Sequence, residues 1–382
     1  MRILRRRIER VLTQGGVAES AFSSPFEQVL HACSQVYELA ARFRIRLYER
    51  GILKQECLSC KVVSIGNITV GGTGKTPVTV FMGDLLKRMG YKVAVISRGY
   101  GGSAEKHGGI VSDGQATKMG PQQAGDEPYL MSLKLKGIPV IVGQDRVKAG
   151  QVAIDTFGSD VVVLDDGFQH LRLKRDLNFV LLDASNPFGN GRLLPRGVLR
   201  EPLRHLDRAD AFVVTSSSAS GALAGGISSI QEIAVGRPIF CCTRVPHRLV
   251  GNGETMAYPL DFLRGRRLLA FSAIARNEDF RQMVMNLGGD IVKFFPFPDH
   301  HYYSDDDLRS VAALGESLNA EFLITTEKDY VRIQDRLPGR LKLVVLTVAM
   351  SFGVDTQSLE NYVKKFLKTG RQDPYFHTGG TG

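Results

Sequence analysis

A short apolar run that leads straight into a glycine-rich turn constrains the fold of this sequence most. The segment reads Val62-Val-Ser-Ile-Gly-Asn-Ile-Thr-Val-Gly-Gly-Thr-Gly-Lys-Thr-Pro77. A strand, a glycine-rich turn and a helix in this order form a phosphate-binding P-loop, in which backbone N–H groups and the positive end of the helix face one concavity. The segment therefore predicts an α/β fold that binds a nucleoside triphosphate.

Two residues of the predicted loop have specific expected tasks. Lys75 would reach the β- and γ-phosphates of the nucleotide, and the Thr76 hydroxyl would face Mg²⁺. The common pattern has a glycine at the position of Thr69, so the match is imperfect there. The residues predicted to bind ATP are Thr69, Val70, Gly71, Gly72, Thr73, Gly74, Lys75 and Thr76.

Strand and helix signals alternate from the P-loop to the C-terminus. Val/Ile/Leu runs predict buried strands at 92–97, 138–142, 161–164, 179–182 and 211–214, with helices at 76–89 and 148–157. A second set predicts strands at 268–271, 291–294, 322–325 and 343–346, with helices near 278–287, 305–318 and 356–368. Ser304 and Asp307 are spaced as a capping box. Such apolar strands are typical of a parallel sheet covered on both faces.

The predicted fold class is therefore α/β, with a P-loop NTPase-like, mostly parallel sheet domain, a second, smaller α/β domain and an N-terminal amphipathic helix. The predicted boundaries are 1–57 for a basic N-terminal segment and the helix, 58–235 for the P-loop core, 236–262 for a connector and 263–382 for the smaller domain. The Ser-, Gly- and Ala-rich composition of 216–229 predicts a surface loop, and 238–253 is predicted to link the two domains.

The N-terminal segment is basic and then amphipathic. Arginines at 2, 5, 6, 7 and 10 are not followed by the apolar region of a signal peptide, so secretion is not expected. From Phe26 to Leu47 apolar residues recur at helical spacing, and arginines gather at the end. No stretch approaches the roughly 18 apolar residues of a spanning helix. Two interpretations stay open: a helix packed on its own domain, and a helix lying on an anionic membrane surface.

Charge and cysteine content narrow the class of protein further. The 49 Lys and Arg residues exceed the 39 Asp and Glu residues, and the formal charge of +10 favours an anionic partner. Five cysteines do not form a disulfide framework, which fits a reducing compartment. Cys57 and Cys60 form a single C-x-x-C without a second pair at zinc spacing, so metal or redox use is not expected. Aromatic–basic interleaving and finger spacing are missing, so no nucleic-acid partner is predicted.

Carboxylates follow the predicted strand at 161–164. Asp165 and Asp166 would therefore lie at the C-terminal edge of the sheet, where ligands of open α/β sheets bind. One such Asp commonly holds Mg²⁺ opposite the P-loop hydroxyl. Asp126 and Glu127 add two carboxylates upstream, although acids there also suit an ordinary helix N-terminus. The sequence thus predicts a magnesium site beside the P-loop.

Basic and histidine side chains form a second group of candidates. Adjacent His300 and His301 on extended backbone would point in opposite directions, so at most one faces a given site, and their spacing cannot chelate a metal. Four arginines follow predicted strands or lie in the loop after Leu182, where their guanidinium groups could clamp a phosphate: Arg98, Arg146, Arg196 and Arg200. Exposed arginines are common, so their number is suggestive only.

Seven motifs occur in order between Val62 and the C-terminus. They are Gly66-Asn-Ile-Thr-Val-Gly-Gly-Thr-Gly-Lys-Thr-Pro77, Ser97-Arg-Gly-Tyr-Gly101, Gly125-Asp-Glu-Pro128, Asp165-Asp-Gly-Phe-Gln-His170, Leu194-Pro-Arg-Gly197 with Leu199-Arg-Glu-Pro202, Asp299-His-His301 and Thr326-Glu-Lys-Asp329. In this order and spacing the chain resembles the tetraacyldisaccharide 4′-kinases, the lipid A 4′-kinases. The basic segment before Phe26 and the Cys57/Cys60 pair depart from the pattern of that family.

The resemblance implies an activity and a location. It implies ATP-dependent, Mg²⁺-assisted phosphorylation of the 4′-hydroxyl of a tetraacyldisaccharide 1-phosphate, which yields lipid IVA. It also implies a peripheral or monotopic enzyme on the cytoplasmic face of the Gram-negative inner membrane, with the lipid A precursor and the membrane surface as partners. No protein partner is implied. Thr69 fits the P-loop of this family.

The resemblance also assigns residues. It places the catalytic pair at Asp126 and His300 and the metal ligands at Thr76, Glu127, Asp165 and Asp166. Substrate or phosphate contacts are expected from Arg98, Arg146, Gln169, His170 and Arg200. A carboxylate would take the hydroxyl proton while a paired His orients that carboxylate and holds the charge. Since His300 lies in the second predicted domain and the P-loop in the first, the cleft between them is expected to close.

Two other nucleotide-binding classes have signature residues that this chain lacks. A membrane-associated ATPase of the partitioning or metallochaperone kind has a signature Lys where this chain has Val70. An ATPase of this kind is the alternative function. A regulatory GTPase would need Asn-Lys-x-Asp to read guanine, whereas Glu327-Lys328-Asp329 lacks both the Asn and the spacer.

Overall fold

Thirteen strands of the described residues form one mixed sheet. The computed structural model describes residues 25–216, 230–251 and 256–368. Predictions for the N-terminal arginines, for the loop beyond Ser216 and for the tail after 377 lie outside these residues. The strands are β1 (Lys61–Asn67), β2 (Val93–Ser97), β3 (Gly109–Ser112), β4 (Val140–Val142), β5 (Val161–Asp165), β6 (Leu177–Asp183), β7 (Ala211–Ser216), β8 (Ile239–Gly251), β9 (Ala257–Tyr258), β10 (Arg267–Ser272), β11 (Asp290–Pro296), β12 (Phe322–Thr326) and β13 (Lys342–Ser351).

Helices pack on the sheet from both sides. They include α1 (Pro25–Glu49), α2 (Lys75–Arg88), α3 (Pro121–Ala124), α4 (Asp126–Lys134), α5 (Arg146–Phe157), α6 (Asn277–Asn286), α7 (Asp305–Ser317), α8 (Glu327–Ile333) and α9 (Thr356–Lys368). Alternate residues of β1 point to opposite faces. Val63 packs in a cluster with Met82 of α2, whereas Val62 packs in a cluster with Ala149 of α5. The predicted α/β class with a mostly parallel sheet is confirmed.

The strand order places the P-loop strand well inside the sheet. The order is β11-β10-β12-β13-β8-β7-β6-β1-β5-β2-β4-β3, and β9 pairs with β8. Neighbours are parallel except β8 with β13, β8 with β9, and β3 with β4. β5 is fully buried and β1 is buried at every residue after Lys61, as their Val/Ile/Leu runs predict. The C-terminal ends of the parallel strands β1 and β5 therefore bring the P-loop and Asp165 to the same edge of the sheet.

The segment predicted as a connector is largely a strand. β8 occupies 13 residues and pairs in parallel with β7 and antiparallel with β13, so the sheet runs without a break from one half of the chain to the other. Pro246 argues against a strand in the sequence, because proline cannot donate to a ladder. The register shifts between Thr347 and Val348 of β13, which pair with Arg248 and Pro246, and this bulge accommodates the proline.

Helix α1 docks on the loop that follows β6. The Ser34 hydroxyl donates to the Leu193 carbonyl over 2.9 Å, and the Tyr37 hydroxyl donates to the Arg200 carbonyl over 2.9 Å. Leu30 and Ile45 are buried, but the opposite face leaves large apolar side chains in solvent, among them Val29, Val36, Leu39 and Phe43. No helix of the described ranges is long and apolar enough to cross a membrane. The predicted helix at 26–47 is thus present, with one face packed and one face free.

Candidate active site

The glycine-rich turn joins the end of β1 to the first turn of α2. Gly74 caps α2 at a φ of 82°, a left-handed conformation that glycine adopts without strain. A Cβ on Gly72 would lie 3.2 Å from the Cβ of Ala275, which follows β10. The second half of the sheet therefore already reaches the P-loop, and the missing side chain at Gly72 permits this approach.

Thr69 lies where the common P-loop pattern has glycine. Its backbone forms an isolated antiparallel bridge with Leu199, and the neighbouring Val70 N–H donates to the Val198 carbonyl over 2.8 Å. Backbone paired in this way is extended and needs no positive φ, so threonine fits. Further along, the Thr73 hydroxyl accepts from the Asn67 amide over 2.9 Å, which ties the turn to β1.

Lys75 and the acidic pair meet at the end of β5. The Lys75 ammonium lies 3.7 Å from the Asp166 carboxylate, and the Arg200 guanidinium lies 2.8 Å and 3.0 Å from the two Asp166 oxygens. Burial raises the pKa of Asp166, but Lys75 and Arg200 outweigh it, so the net pKa is below its usual range. Asp166 therefore balances two cations beside the P-loop, where an incoming phosphate would compete with it for both.

Asp165 is buried beneath this surface. Its carboxylate accepts hydrogen bonds from the Thr79 hydroxyl at 3.1 Å and from the Ser97 hydroxyl at 3.0 Å. Burial and the nearby charges of Glu127 and Asp166 raise the pKa of Asp165 to about 7. A cation bound beside these carboxylates would offset their mutual repulsion.

Glu127 is paired with a residue from the other half of the sheet. The Lys328 ammonium of α8 donates to Glu127 of α4 over 3.0 Å. Burial raises the pKa of Glu127, but Lys328, with further help from Lys75, brings the pKa below its usual value. The carboxylate is thus ionised and held by a cation in this structure.

The two predicted catalytic residues come together through a third residue. Arg332 of α8 donates from Nε to Asp126 over 2.6 Å, and its Nη2 lies 3.0 Å from His300 Nδ1. The predicted carboxylate–histidine pairing is therefore corrected to a bridged arrangement, with a guanidinium between the partners. Burial, Lys328 and Arg332 lower the pKa of His300, while Asp299 and Glu127 oppose them, and the net shift favours the neutral ring in this structure.

Only one of the adjacent histidines contacts Arg332, although the extended backbone that was predicted for both is wrong at His300, where φ is 60°. His301 instead lies 3.0 Å from the Asp307 carboxylate and stacks on Phe297 at 4.8 Å between ring centroids. Asp307 belongs to the predicted capping box with Ser304, which the structure confirms. His301 is therefore part of the structural packing around α7.

Gln169 shares the Arg200 guanidinium with Asp166, and His170 is its neighbour in the chain. The Gln169 amide donates to the Asn67 carbonyl over 2.8 Å, and Arg200 donates to its oxygen over 3.4 Å. Burial, together with Arg146 and Arg175, lowers the pKa of His170 to about 4. Its Nε2 atom is buried without a hydrogen-bond partner in the described structure. A neutral His170 can therefore donate or accept a hydrogen bond but does not offer a phosphate a positive charge.

The remaining predicted phosphate-binding arginines have different surroundings. Arg146 is buried at the start of α5, donates to the Gly143 and Gln144 carbonyls, and has its pKa lowered by burial and by Arg98. Arg98 is exposed and donates to Glu105 over 2.6 Å. Arg196 lies 3.0 Å from His31 of α1. Arg200 is thus the one of the four that directly contacts Asp166 in the described contacts.

The predicted metal ligands do not form a ready-made cage. Among the described residues, no group of three His, Cys, Asp or Glu side chains is placed to hold a metal ion by itself. This suits Mg²⁺ bound with a nucleotide, which takes one or two carboxylates and completes its shell with phosphate oxygens and water. Glu127, Asp165 and Asp166 supply such carboxylates beside Lys75.

Sequence reasoning missed the basic residues of the second half. Arg332 was not singled out, and Lys328 was noticed only within Thr326-Glu-Lys-Asp329. Arg244 of β8 was missed as well: a Cβ on Gly74 would lie 3.5 Å from its Nη2 atom. These three residues lie on α8 and β8, which are near the P-loop in space but far from it in sequence. No local sequence pattern therefore pointed to them.

The sequence of the chain matches the model of a protein family. The family model for tetraacyldisaccharide-1-P 4′-kinase (LpxK) matches residues 26–368. The chain belongs to the tetraacyldisaccharide-1-P 4′-kinase family. Membership makes it a kinase and supersedes the alternative of a partitioning or metallochaperone ATPase.

Individual family members cover nearly the whole chain. The tetraacyldisaccharide 4′-kinase of Desulfatibacillum aliphaticivorans is 39% identical over 378 residues, which span 97% of this chain and 100% of that protein. The one from Syntrophus aciditrophicus is 40% identical and covers 91% of this chain and 95% of that protein. A crystal structure of LpxK from Aquifex aeolicus in complex with ATP is 34% identical, with a TM-score of 0.71 over 90% of this chain and 99% of that one.

Proposed function

We propose that this kinase transfers the γ-phosphoryl group of ATP to the 4′-hydroxyl of a tetraacyldisaccharide 1-phosphate, which forms lipid IVA in lipid A biosynthesis. The names of its family and relatives support this substrate. The observation that carries the proposal is the meeting of Lys75 and Arg200 at Asp166, with Asp126 and His300 brought in from the two halves of the sheet. In this proposal the phosphate-binding and proton-accepting groups belong to one site.

The P-loop fits ATP and the acids fit Mg²⁺. The ATP-binding residues would be 69–76, with Lys75 released from Asp166 by the phosphates, and an ATP complex of a 34% identical relative supports this nucleotide. Thr76, Glu127, Asp165 and Asp166 would hold the metal. Mg²⁺ supplies positive charge that offsets the negative charge developing on the transferred group.

Asp126 is the base in this proposal. A sugar hydroxyl is a poor nucleophile at neutral pH, so a carboxylate within hydrogen-bond reach takes its proton as the phosphoryl group departs. Neutral His300 orients the hydroxyl or the carboxylate by a hydrogen bond. Arg200 and Gln169, which share a hydrogen bond, would contact substrate or phosphate oxygens, as would His170, Arg146 and Arg98. The proton leaves the 4′-oxygen for Asp126 and the new P–O bond forms at that oxygen, while the bond between the γ-phosphorus and the β,γ-bridging oxygen breaks and ADP leaves with that oxygen.

The exposed face of α1 supports work at a membrane. The acyl chains of this substrate stay in a bilayer because exposing them costs about 25 cal/mol per Å². Val36, Leu39 and Phe43 are each more than 60% exposed on one side of α1, and its last turns carry Arg42, Arg44 and Arg46. Such a helix lies in a headgroup layer with its basic residues among anionic lipids. The proposed location is the cytoplasmic face of the inner membrane, with peripheral attachment.

A direct assay tests the proposed function. The full chain is incubated with [γ-³²P]ATP, Mg²⁺ and tetraacyldisaccharide 1-phosphate in detergent micelles. Labelled lipid bisphosphate is the expected product, and phosphate release without lipid labelling would overturn the proposal. A substrate whose 4′-hydroxyl is replaced by hydrogen serves as the control and should stay unlabelled.

A further inference from the structure

Arg332 has contacts that packing alone does not explain. Its side chain is 9% exposed, yet it extends from α8 to Asp126 in the first turn of α4, a residue 206 positions away in sequence. The Nε and Nη2 atoms form one edge of the planar guanidinium, with N–H groups that point the same way. In this structure that edge is shared between Asp126, at 2.6 Å from Nε, and His300 Nδ1, at 3.0 Å from Nη2.

The other edge of the guanidinium is fixed by buried groups. Nη1 donates to the Ala273 carbonyl over 3.3 Å and lies 3.7 Å from Asp329. Asp329 is fully buried, and it accepts from the Ala273 N–H at 3.1 Å and from the Tyr303 hydroxyl at 3.0 Å. The Nη1 side of the guanidinium is therefore fixed by hydrogen-bonded buried groups, so the edge formed by Nε and Nη2 has a defined position.

The same network fixes the backbone of His300. The His300 N–H donates to the Ala273 carbonyl over 3.2 Å, which is the oxygen that also accepts from Arg332. His300 has a φ of 60°, a left-handed conformation that a non-glycine residue keeps only where its surroundings hold it. Arg332 and His300 are thus anchored on one carbonyl, and only Asp126 comes from the other half of the sheet.

We propose that Arg332 is a positioning residue for phosphoryl transfer, which sets the distance and orientation between the Asp126 carboxylate and the His300 ring across the cleft. This inference rests on the proposed roles of Asp126 and His300. Arg332 touches neither nucleotide nor substrate in this role. It acts through the two N–H groups of one edge, so both the charge and the planar fork are needed, and a lysine supplies only the charge.

The test compares Arg332→Lys and Arg332→Met with Arg336→Met in the full chain. Arg336 is a matched control because it also forms an ion pair, to Asp305, but does so at the surface. Both Arg332 variants should lower kcat about tenfold or more, since small displacements of reacting groups cost that much. The KM for ATP and the Kd for ADP should stay within about twofold of the wild-type values, because Arg332 does not contact the nucleotide in this proposal. Arg336→Met should match the wild type.

A double variant separates positioning from general loss of structure. If Arg332 acts through Asp126, then Asp126→Asn with Arg332→Lys should have nearly the kcat of Asp126→Asn alone. Wild-type kcat in Arg332→Lys, or fully multiplied losses in the double variant, would overturn the inference. Should Arg332→Met fail to fold, the Lys variant, which keeps the charge against Asp329, carries the test.

The outcomes also distinguish this inference from the function on which it rests. Wild-type kcat in both Asp126→Asn and His300→Ala would remove their proposed catalytic roles, whatever Arg332 does. If kcat falls in Asp126→Asn and in His300→Ala but not in Arg332→Lys, the proposed function stands and only the positioning role of Arg332 is removed.

Discussion

Lys328 of α8 and Glu127 of α4 form an ion pair, with 3.0 Å between Nζ and Oε1. Two further ion pairs join the same helices, from Arg332 to Asp126 and from Lys134 to Glu327, each at 2.6 Å. The helix that carries the proposed base is therefore held to the second half of the sheet at both of its ends. Any ligand that draws Asp126 or Glu127 to itself must compete with these cations.

Replacement of Lys328 should strengthen metal binding. In Lys328→Gln the Glu127 carboxylate has lost the cation that neutralises it, so Mn²⁺, used as a spectroscopic probe for Mg²⁺, should bind the ADP complex about tenfold more tightly. Electron paramagnetic resonance of free Mn²⁺ measures the Kd. Lys118→Gln, which removes the surface pair with Asp113, is the control. Unchanged or weaker Mn²⁺ binding would show that Glu127 is not a ligand.

Loss of Lys75 should nearly abolish activity without unfolding the enzyme. Lys75→Ala removes a charge from the phosphates in the transition state, and we expect a loss in kcat/KM that corresponds to about 3 kcal/mol or more. Steady-state kinetics with ATP and lipid substrate measures it, and far-UV circular dichroism checks the fold. Asp165→Ala should behave alike. Retained activity in either variant contradicts the P-loop assignment.

The proposed catalytic pair should act as one unit. Asp126→Asn and His300→Ala should each lower kcat by about 10²-fold or more, the scale of general acid–base catalysis, with little change in nucleotide affinity. Because Arg332 links the two side chains, the double variant should be scarcely worse than the poorer single variant. Losses that multiply would mean that the two residues work separately.

His170 should remain neutral well below neutral pH. Its folded pKa of about 4 lies below the ordinary value of 6.5, so the folded state binds fewer protons than the unfolded state between these values. Stability from this residue is complete above about pH 6.5 and is lost as the pH falls towards 4. NMR with ¹³C-labelled histidine should show a His170 signal that does not titrate between pH 8 and 5.5. His170→Gln assigns the signal, and a midpoint near 6.5 would refute the prediction.

The exposed face of α1 should govern vesicle binding. Val36→Asp combined with Phe43→Asp places negative charge on that face and should weaken sedimentation with vesicles that contain phosphatidylglycerol, while ADP affinity is kept. Val354→Asp is a matched control, because Val354 is 97% exposed outside α1. Binding should also fall with salt. Equal binding by the double variant and the wild type would assign the lipid contact to another surface.

Features encoded in contiguous residues were predictable from the sequence. The P-loop, the buried strands of the first half and the Ser304 capping box depend on neighbours in sequence, so apolar runs and turn residues were sufficient. The domain boundaries remain predictions. β8 was missed as a strand because Pro246 and its polar neighbours resemble a linker, and only the partner strand with its bulge makes the ladder possible.

The geometry of the candidate site was predictable only in part. The resemblance supplied Asp126, Glu127, Asp165 and His300. It could not show that Lys328 pairs with Glu127 and that Arg332 joins Asp126 to His300, since the first two pairs join residues 201 and 206 positions apart. Contacts of that kind depend on how the two halves of the sheet pack against each other. No local sequence pattern predicts that packing.

The continuity of β8 determines how the cleft can close. The strand is paired in parallel with β7 over residues 239–243 and antiparallel with β13 over residues 243–251, so the two ladders follow one another along β8 and meet at Thr243. A hinge is a short stretch of residues that absorbs a change in backbone torsions. A hinge in β8 that kept both ladders intact would therefore have to act near Thr243, where the strand changes partner. Closure of the proposed cleft would then be limited to the torsional change that this junction can absorb.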